Sequence, residues 1–229
     1  MGDLSVFVDE SGDTGANSRR YLVTLVLHEQ DRPLDTGLAK LGGQLRNVGY
    51  PVGEAIHSGP LVRREEAYSE MGIDRRRKLF AALFGFAVKA PVAFKTFAYL
   101  KRELGARDAG EVAARLQARL ARDVKLFLGE RLAYLPRFDR VVVYYDNGQH
   151  AVTAAVREAF LDRLTRVEFR RVQPSGYRLF QAADLVCTLE LLRLKDAASE
   201  LSRSELDFFG SARRLRHDYL RHVERLRMP

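Results

Sequence analysis

The chain carries one cysteine, Cys187, and nowhere do eighteen apolar residues run together. A single thiol excludes an internal disulfide and any cysteine-built zinc cluster. The want of a long apolar run excludes a membrane-spanning helix. No Pro/Gly/Ser-rich stretch offers a linker, so the 229 residues read as a single domain, 1–229, with a full core. Neither a P-loop nor a G-x-G-x-x-G fingerprint is present, which leaves nucleotide-cofactor chemistry without an anchor. The opening Met1-Gly2-Asp3-Leu4 has no basic n-region or small-residue cleavage site, and the expectation is a cytoplasmic protein.

What the chain does have is positive charge. Its formal net charge is +8, with 38 Lys and Arg against 30 Asp and Glu. An excess of that size gathers polyanions, and nucleic acid, DNA or RNA, is the expected partner. The cations come in runs: Arg63-Arg64, Arg75-Arg76-Arg77-Lys78, Arg170-Arg171 and Arg213-Arg214-Leu215-Arg216-His217. Any one run is equally well a solvated helix face. Beside an acidic site they gain meaning, because basic arms hold phosphates while carboxylates hold a metal.

Hydrophobic patterning outlines the elements. Residues 4–10 and 20–27 are strands joined by a Gly/Asn/Ser turn region, a hairpin. Leu34, Leu38, Leu41, Leu45 and Val48 step by three and four, one face of a helix, and Gly49 to Gly59 breaks it. A second helix covers 72–89, and together they form a helical insertion over 34–90. Strands at 92–101, 138–145 and 166–173 alternate with helices at 108–132, 149–164 and 178–195. A basic amphipathic helix closes the chain over 200–229; it is suited to pack on the domain, to grip phosphate or to pair with a second copy in a homodimer. The order predicts an α/β fold, a mixed five-stranded sheet with helices on both faces.

Three aspartates share one logic. Asp9 ends the first strand in Val6-Phe7-Val8-Asp9-Glu10-Ser11-Gly12-Asp13, Asp146 follows the apolar strand Val141 to Tyr145, and Asp184 sits in a helix apolar nearly all round. Carboxylates in such places cost several kcal/mol unless a cation or dense hydrogen bonding offsets them. Ligands gather beyond neighbouring strand ends, where Asp9 and Asp146 would meet. Hard divalent cations, Mg²⁺ or Mn²⁺, take such oxygen ligands, and two of them about 3.5–4 Å apart serve phosphodiester hydrolysis. The opposing readings are a turn-forming Asp9 or Asp146, and an Asp184 paired with Arg178 or Arg193. Glu10 alternates to the far side of its strand, a place for an assisting role, and Asp13 reads as a turn residue. Glu54 and His57, three apart in a Pro/Gly-flanked loop, are candidates to orient water or protonate a leaving group. Tyr144, Tyr145 and Phe180 read as core or as stacking platforms for bases.

Taken together, Phe7-Val8-Asp9-Glu10-Ser11-Gly12-Asp13-Thr14-Gly15, Glu54-Ala55-Ile56-His57, Tyr145-Asp146-Asn147 and Gln181-Ala182-Ala183-Asp184-Leu185 resemble the DUF3800 family of bacterial, archaeal and phage proteins. The resemblance runs from roughly residue 5 to residue 190 by motif order. It implies an RNase H-like fold and a metal-dependent nuclease site, with carboxylates on the first strand, the fourth strand and the last core helix. Asp9, Asp146 and Asp184 fall on those elements. RNase H proper adds a Glu on the helix after strand three, where this chain offers only Glu111 or Glu130; the fourth ligand is otherwise Glu10, Asp13, Glu54 or His57. The expectation is therefore a Mg²⁺- or Mn²⁺-dependent nuclease, with a non-catalytic nucleic-acid-binding or regulatory module of the same fold as its rival. An aspartyl phosphotransferase needs an Asp two residues after its nucleophile, and Ser11 stands there instead.

Overall fold

The computed structural model describes the chain apart from residues 1, 13–17, 106–107, 147 and 229, so Asp13 and Asn147 lie outside the described residues. Five strands form one sheet in the order β3-β2-β1-β4-β5. β1 (Leu4–Ser11), β2 (Arg20–Glu29) and β3 (Val92–Leu100) make an antiparallel unit, and β4 (Val141–Tyr145) and β5 (Val167–Arg171) continue it in parallel. Gly12 lets the chain leave β1: its φ is +103°, and a Cβ there would lie 2.4 Å from the Arg20 carbonyl oxygen. This is the mixed five-stranded sheet that the order of elements predicts, in the arrangement that the resemblance implies.

Strand alternation sorts the core into two layers. Leu4, Val6 and Val8 of β1 face α4 (Ala109–Gly129) and α5 (His150–Arg163), together with Val141 and Val143. Phe7, Val142 and Tyr144 face the other way, toward α6 (Arg178–Ala197) and the insertion. Being buried on both sides, β1 and β4 read as continuous apolar runs, as central strands do.

The insertion between β2 and β3 holds α1 (Asp35–Asn47), α3 (Ile73–Ala87) and a short α2 (Ser58–Arg63) where a loop was expected. The end of the chain also differs from expectation. In place of one basic helix over 200–229, α7 (Arg203–Phe209) stops at Gly210 (φ +78°), and a second helical run covers 212–224. Its apolar side does not stand free for a second copy. Leu215, Leu220 and Val223 are buried in the chain's own core, and Tyr219 packs on Phe80 and Phe84. The tail then covers the edge strand β3, where Phe94 N–H donates to the Leu226 carbonyl and Met228 N–H to the Phe94 carbonyl.

Ser202 starts α7 with a capping box: its Oγ accepts from the Glu205 amide at 3.3 Å, and Glu205 returns to the Ser202 amide at 2.7 Å. Ser202→Ala should cost about 1 kcal/mol of stability, read as a lower urea midpoint at unchanged slope.

Candidate active site

β1 and β4 pair in register from Leu4↔Val141 to Phe7↔Tyr144. Continued past that pair, the same register sets Asp9 beside Asp146 at the carboxyl ends of both strands. Alternation sends Asp9 to the face of Phe7, where α6 packs, and Glu10 to the face of Val8, beside α5. Along α6 every residue from Leu179 to Glu190 is buried except Asp184, which keeps partial access to solvent.

Asp9, Glu10, Asp146 and Asp184 thus gather at one end of the sheet, each enclosed by protein on most sides and partly open on another. Asp9 is held well above the ordinary aspartate range, first by burial and then by the charges of Asp184, Asp146 and Glu10. None of these main neighbours is a cation. Glu10 is pushed up to about 7 by burial, against the pull of the Gln149 amide, which donates to its Oε1 at 2.6 Å, and with a further push from Asp146. Asp184 is raised by burial, although the Ser58 amide donates to its Oδ2 at 2.6 Å and the charges of His57 and Arg63 draw it down.

Gly148 shows how tightly two of these carboxylates are set. A Cβ there would lie 2.8 Å from Glu10 Oε1 and 3.1 Å from Asp146 Oδ1. Its amide instead donates to Asp146 Oδ1 at 2.8 Å, and the Gln149 amide serves Glu10. Asp146 therefore does form the turn, through Oδ1, and its charge is at the same time felt by Asp9 and Glu10.

The insertion delivers the donor to Asp184. Its 50–63 segment is pinned by polar side chains from outside it. Gln181 Oε1 accepts from the Ile56 amide at 3.2 Å and Tyr68 OH from the His57 amide at 3.0 Å. Arg178 donates to the Glu54 carbonyl at 3.0 Å and to the Val52 carbonyl, and the buried Arg76 donates to the Leu61 carbonyl at 2.8 Å. Arg178 is thus occupied with backbone, and Arg193 with Glu190, so neither is the partner of Asp184.

His57 is exposed at the start of α2 and acts on Asp184 electrostatically. The Glu54 side chain is exposed and its charge acts on Tyr50; the structure does not bring it among the four carboxylates. Glu111 pairs with Arg115 on α4 and Glu130 with Arg131 just past its end, on the opposite face of the sheet. Tyr144 and Phe180 are core: Tyr144 stacks on Phe7 at 4.6 Å, and Phe180 meets the same ring edge-on. Sequence reasoning passed over Ser58 and Gly148, because one acts through its amide and the other through a missing side chain rather than a motif.

Among the described residues no three His, Cys, Asp or Glu side chains are drawn close enough to make a ready-formed metal cage. The fit to a divalent cation lies in the donors: hard carboxylate oxygens crowded around Asp9, whose main charged neighbours are all acids. Two hydroxyls nearby are buried with incomplete bonding. Ser58 Oγ sits close enough to Asp184, and Tyr21 OH close enough to Glu10, to act on those carboxyls, yet neither completes a hydrogen bond of proper geometry.

The fold and site together describe a mixed five-stranded α/β fold with an acidic cleft at its central strand ends. No protein-family model matches the chain, and neither does any curated protein. Among solved structures it is similar to a chain of the PCNA:RNase HII complex from Archaeoglobus fulgidus, at 16% identity over 99% of this chain and 91% of that one, TM-score 0.42. It is similar also to ribonuclease H2 from Pyrococcus horikoshii OT3, at 13% identity over 97% of this chain and 98% of that one, TM-score 0.43. Likeness at this level transfers no residue, and the site stands on its own geometry.

Proposed function

We propose that the chain is a divalent-metal-dependent nuclease of the DUF3800 type, hydrolysing phosphodiester bonds of nucleic acid. The observation that carries this reading is the set of like charges around Asp9, which is unfavourable as it stands and becomes favourable beside a cation. Asp9, Asp146 and Asp184 are the residues that would hold Mg²⁺ or Mn²⁺. When bound, such an ion supplies a Lewis acid for the phosphate and an acidified water. The chain's own groups do the rest. The Ser58 amide fixes one oxygen of Asp184 and leaves the other for a ligand. Glu10, steadied by the Gln149 amide, is placed to accept a proton from water, its value near 7 suiting a base at neutral pH. His57 at the rim is the candidate to protonate the leaving oxygen. Glu54 takes no direct part in this reading.

The second reading is a non-catalytic nucleic-acid-binding module, favoured by the want of a ready-formed cage among the described residues. Calorimetric titration with Mn²⁺ separates the two. The nuclease reading expects saturable binding at millimolar Mn²⁺ or below that Asp184→Asn abolishes. A flat titration with retained, salt-sensitive oligonucleotide binding would leave the binding module standing.

A further inference from the structure

A basic groove leaves the carboxylates in one direction. A cleft of about 710 Å³ opens at Ser11 and Gly12, directly after Glu10, and is lined by Arg19, Arg20, Arg63 and Lys195 together with two acids, Glu65, which pairs with Arg63, and Glu200; Lys195 is itself held by Glu205 behind the lining. It shares Arg19, Arg20 and Glu200 with a second cleft of about 660 Å³ that reaches Leu100 and Arg102. The two follow the sheet's own geometry, crossing from the end of β1 over the start of β2 to the end of β3.

The groove is continuous with the site on its helical wall too. Arg63 ends the same short helix whose first amide holds Asp184, and its charge reaches that carboxylate. On α6, Leu191 and Lys195 follow Asp184 at seven and eleven residues, one face of the helix. Eleven residues of helix span about 16 Å, the axial rise of roughly five nucleotides of one strand.

The lining is as informative for what it omits. Among its described residues there is no Phe, Tyr or His, so no platform exists on which a base could stack. Arginines in such a groove are suited to grip phosphate, whose oxygens match the guanidinium fork bidentately. Two of these arginines are held by one acid: Glu200 accepts from Arg19 at 3.1 Å and also from Arg20. Arg19 is largely exposed, which makes its arm a weak bridge that a phosphate can replace, whereas Arg20 is mostly buried and holds Glu200 in place.

We propose that this groove is the track for the sugar-phosphate backbone of the nucleic-acid strand leaving the carboxylate site, gripping phosphates and not bases, with Glu200 competing for Arg19. The proposal rests on the nuclease reading for the direction of the strand, and its test is independent of that reading.

Binding of a fluorescent single-stranded oligonucleotide, of two unrelated sequences, is measured by anisotropy without divalent metal over a range of salt. Arg19→Ala/Arg102→Ala should weaken both sequences alike, by tenfold or more, and flatten the slope of log affinity against log salt by about 1.4, two phosphate contacts at about 0.7 each. Glu200→Gln should tighten binding severalfold. Equal changes of net charge placed elsewhere, Arg213→Ala/Arg225→Ala and Glu158→Gln, control for long-range attraction. The proposal is overturned if the groove variants match those controls, or if one sequence is lost and the other kept. It is overturned equally if vesicles rich in anionic lipid respond to these substitutions and oligonucleotides do not. Mn²⁺ titration of the same variants keeps the two readings apart: unchanged Mn²⁺ binding with unchanged oligonucleotide binding sinks the groove alone, whereas absent Mn²⁺ binding with the expected groove effects sinks the metal site alone.

Discussion

Asp9→Asn is expected to stabilise the metal-free protein while lowering phosphodiester hydrolysis by more than about a hundredfold, since even the outer partners of a metal ligand cost 10–100-fold when removed. The two effects have one cause. Asp9 is surrounded by Asp184, Asp146 and Glu10, and burial removes the water that would screen them. Asn keeps the shape and loses the charge, so the folded state sheds a repulsion on the order of 1 kcal/mol. The sign is checked by pH. Glu10 lies near 7 in the folded chain against 4.5 for an unconstrained glutamate, so the folded state binds more protons than the unfolded. Metal-free stability of the native protein therefore falls as pH rises from about 4.5 to about 7. Mn²⁺ should reverse that loss at neutral pH, raising the melting temperature of the native protein and not that of Asp9→Asn. Circular dichroism melts with and without Mn²⁺ read all of this. An Asp9→Asn protein less stable than the native one without metal would remove the charge-crowding argument.

The parts of this molecule that were legible in the sequence are those whose signal repeats. Strands β1, β2 and β4 announce themselves by β-branched and aromatic runs, and α1, α3 and α4 by apolar steps of three and four. α2 was not legible: six residues containing Gly59 and Pro60 carry too short a pattern, and what holds them is the Arg76 guanidinium on the Leu61 carbonyl. The closing helix was overextended because the charges after Gly210 resemble those before it, whereas Gly210 takes a backbone angle that ends α7. Among the site residues, Asp9, Asp146 and Asp184 could be placed because each breaks an apolar run at a strand end or on a buried helix. Ser58 and Gly148 could not, because a backbone amide and an absent Cβ leave no mark on composition. Glu54 and His57 looked equivalent as neighbours in a loop. The clamp of Arg178 on the Glu54 carbonyl leaves the Glu54 side chain exposed, while His57 stands directly before α2, within electrostatic reach of Asp184.

Phe80→Ala is expected to cost about 3–5 kcal/mol, the range for truncating a large buried aromatic whose surroundings collapse only in part. Phe80 is fully buried in α3, and three rings meet it edge-on: Phe208 at 5.4 Å, Phe209 at 5.5 Å and Tyr219 at 5.4 Å. Those partners belong to α7 and the helical run after it, so the ring clasps the end of the chain to the insertion. Arg77, three residues away, reinforces the clasp through the carbonyls of Asp207 and Phe208, each at 2.7 Å. These bonds fix the backbone at the entry to the cavity and limit how far the segment can settle into it, which places the cost toward the upper part of the range. Urea unfolding gives the number, with the exposed Leu126→Ala as a control expected within about 0.5 kcal/mol of the native protein. A second consequence follows from where the clasped segment ends. Leu226 and Met228 pair with Phe94 on β3, and a segment freed at Phe80 exposes that strand's edge to other copies. Phe80→Ala should thus show concentration-dependent association by light scattering at temperatures where it is still folded, and Ser202→Ala, which weakens α7 without opening the aromatic cluster, should not.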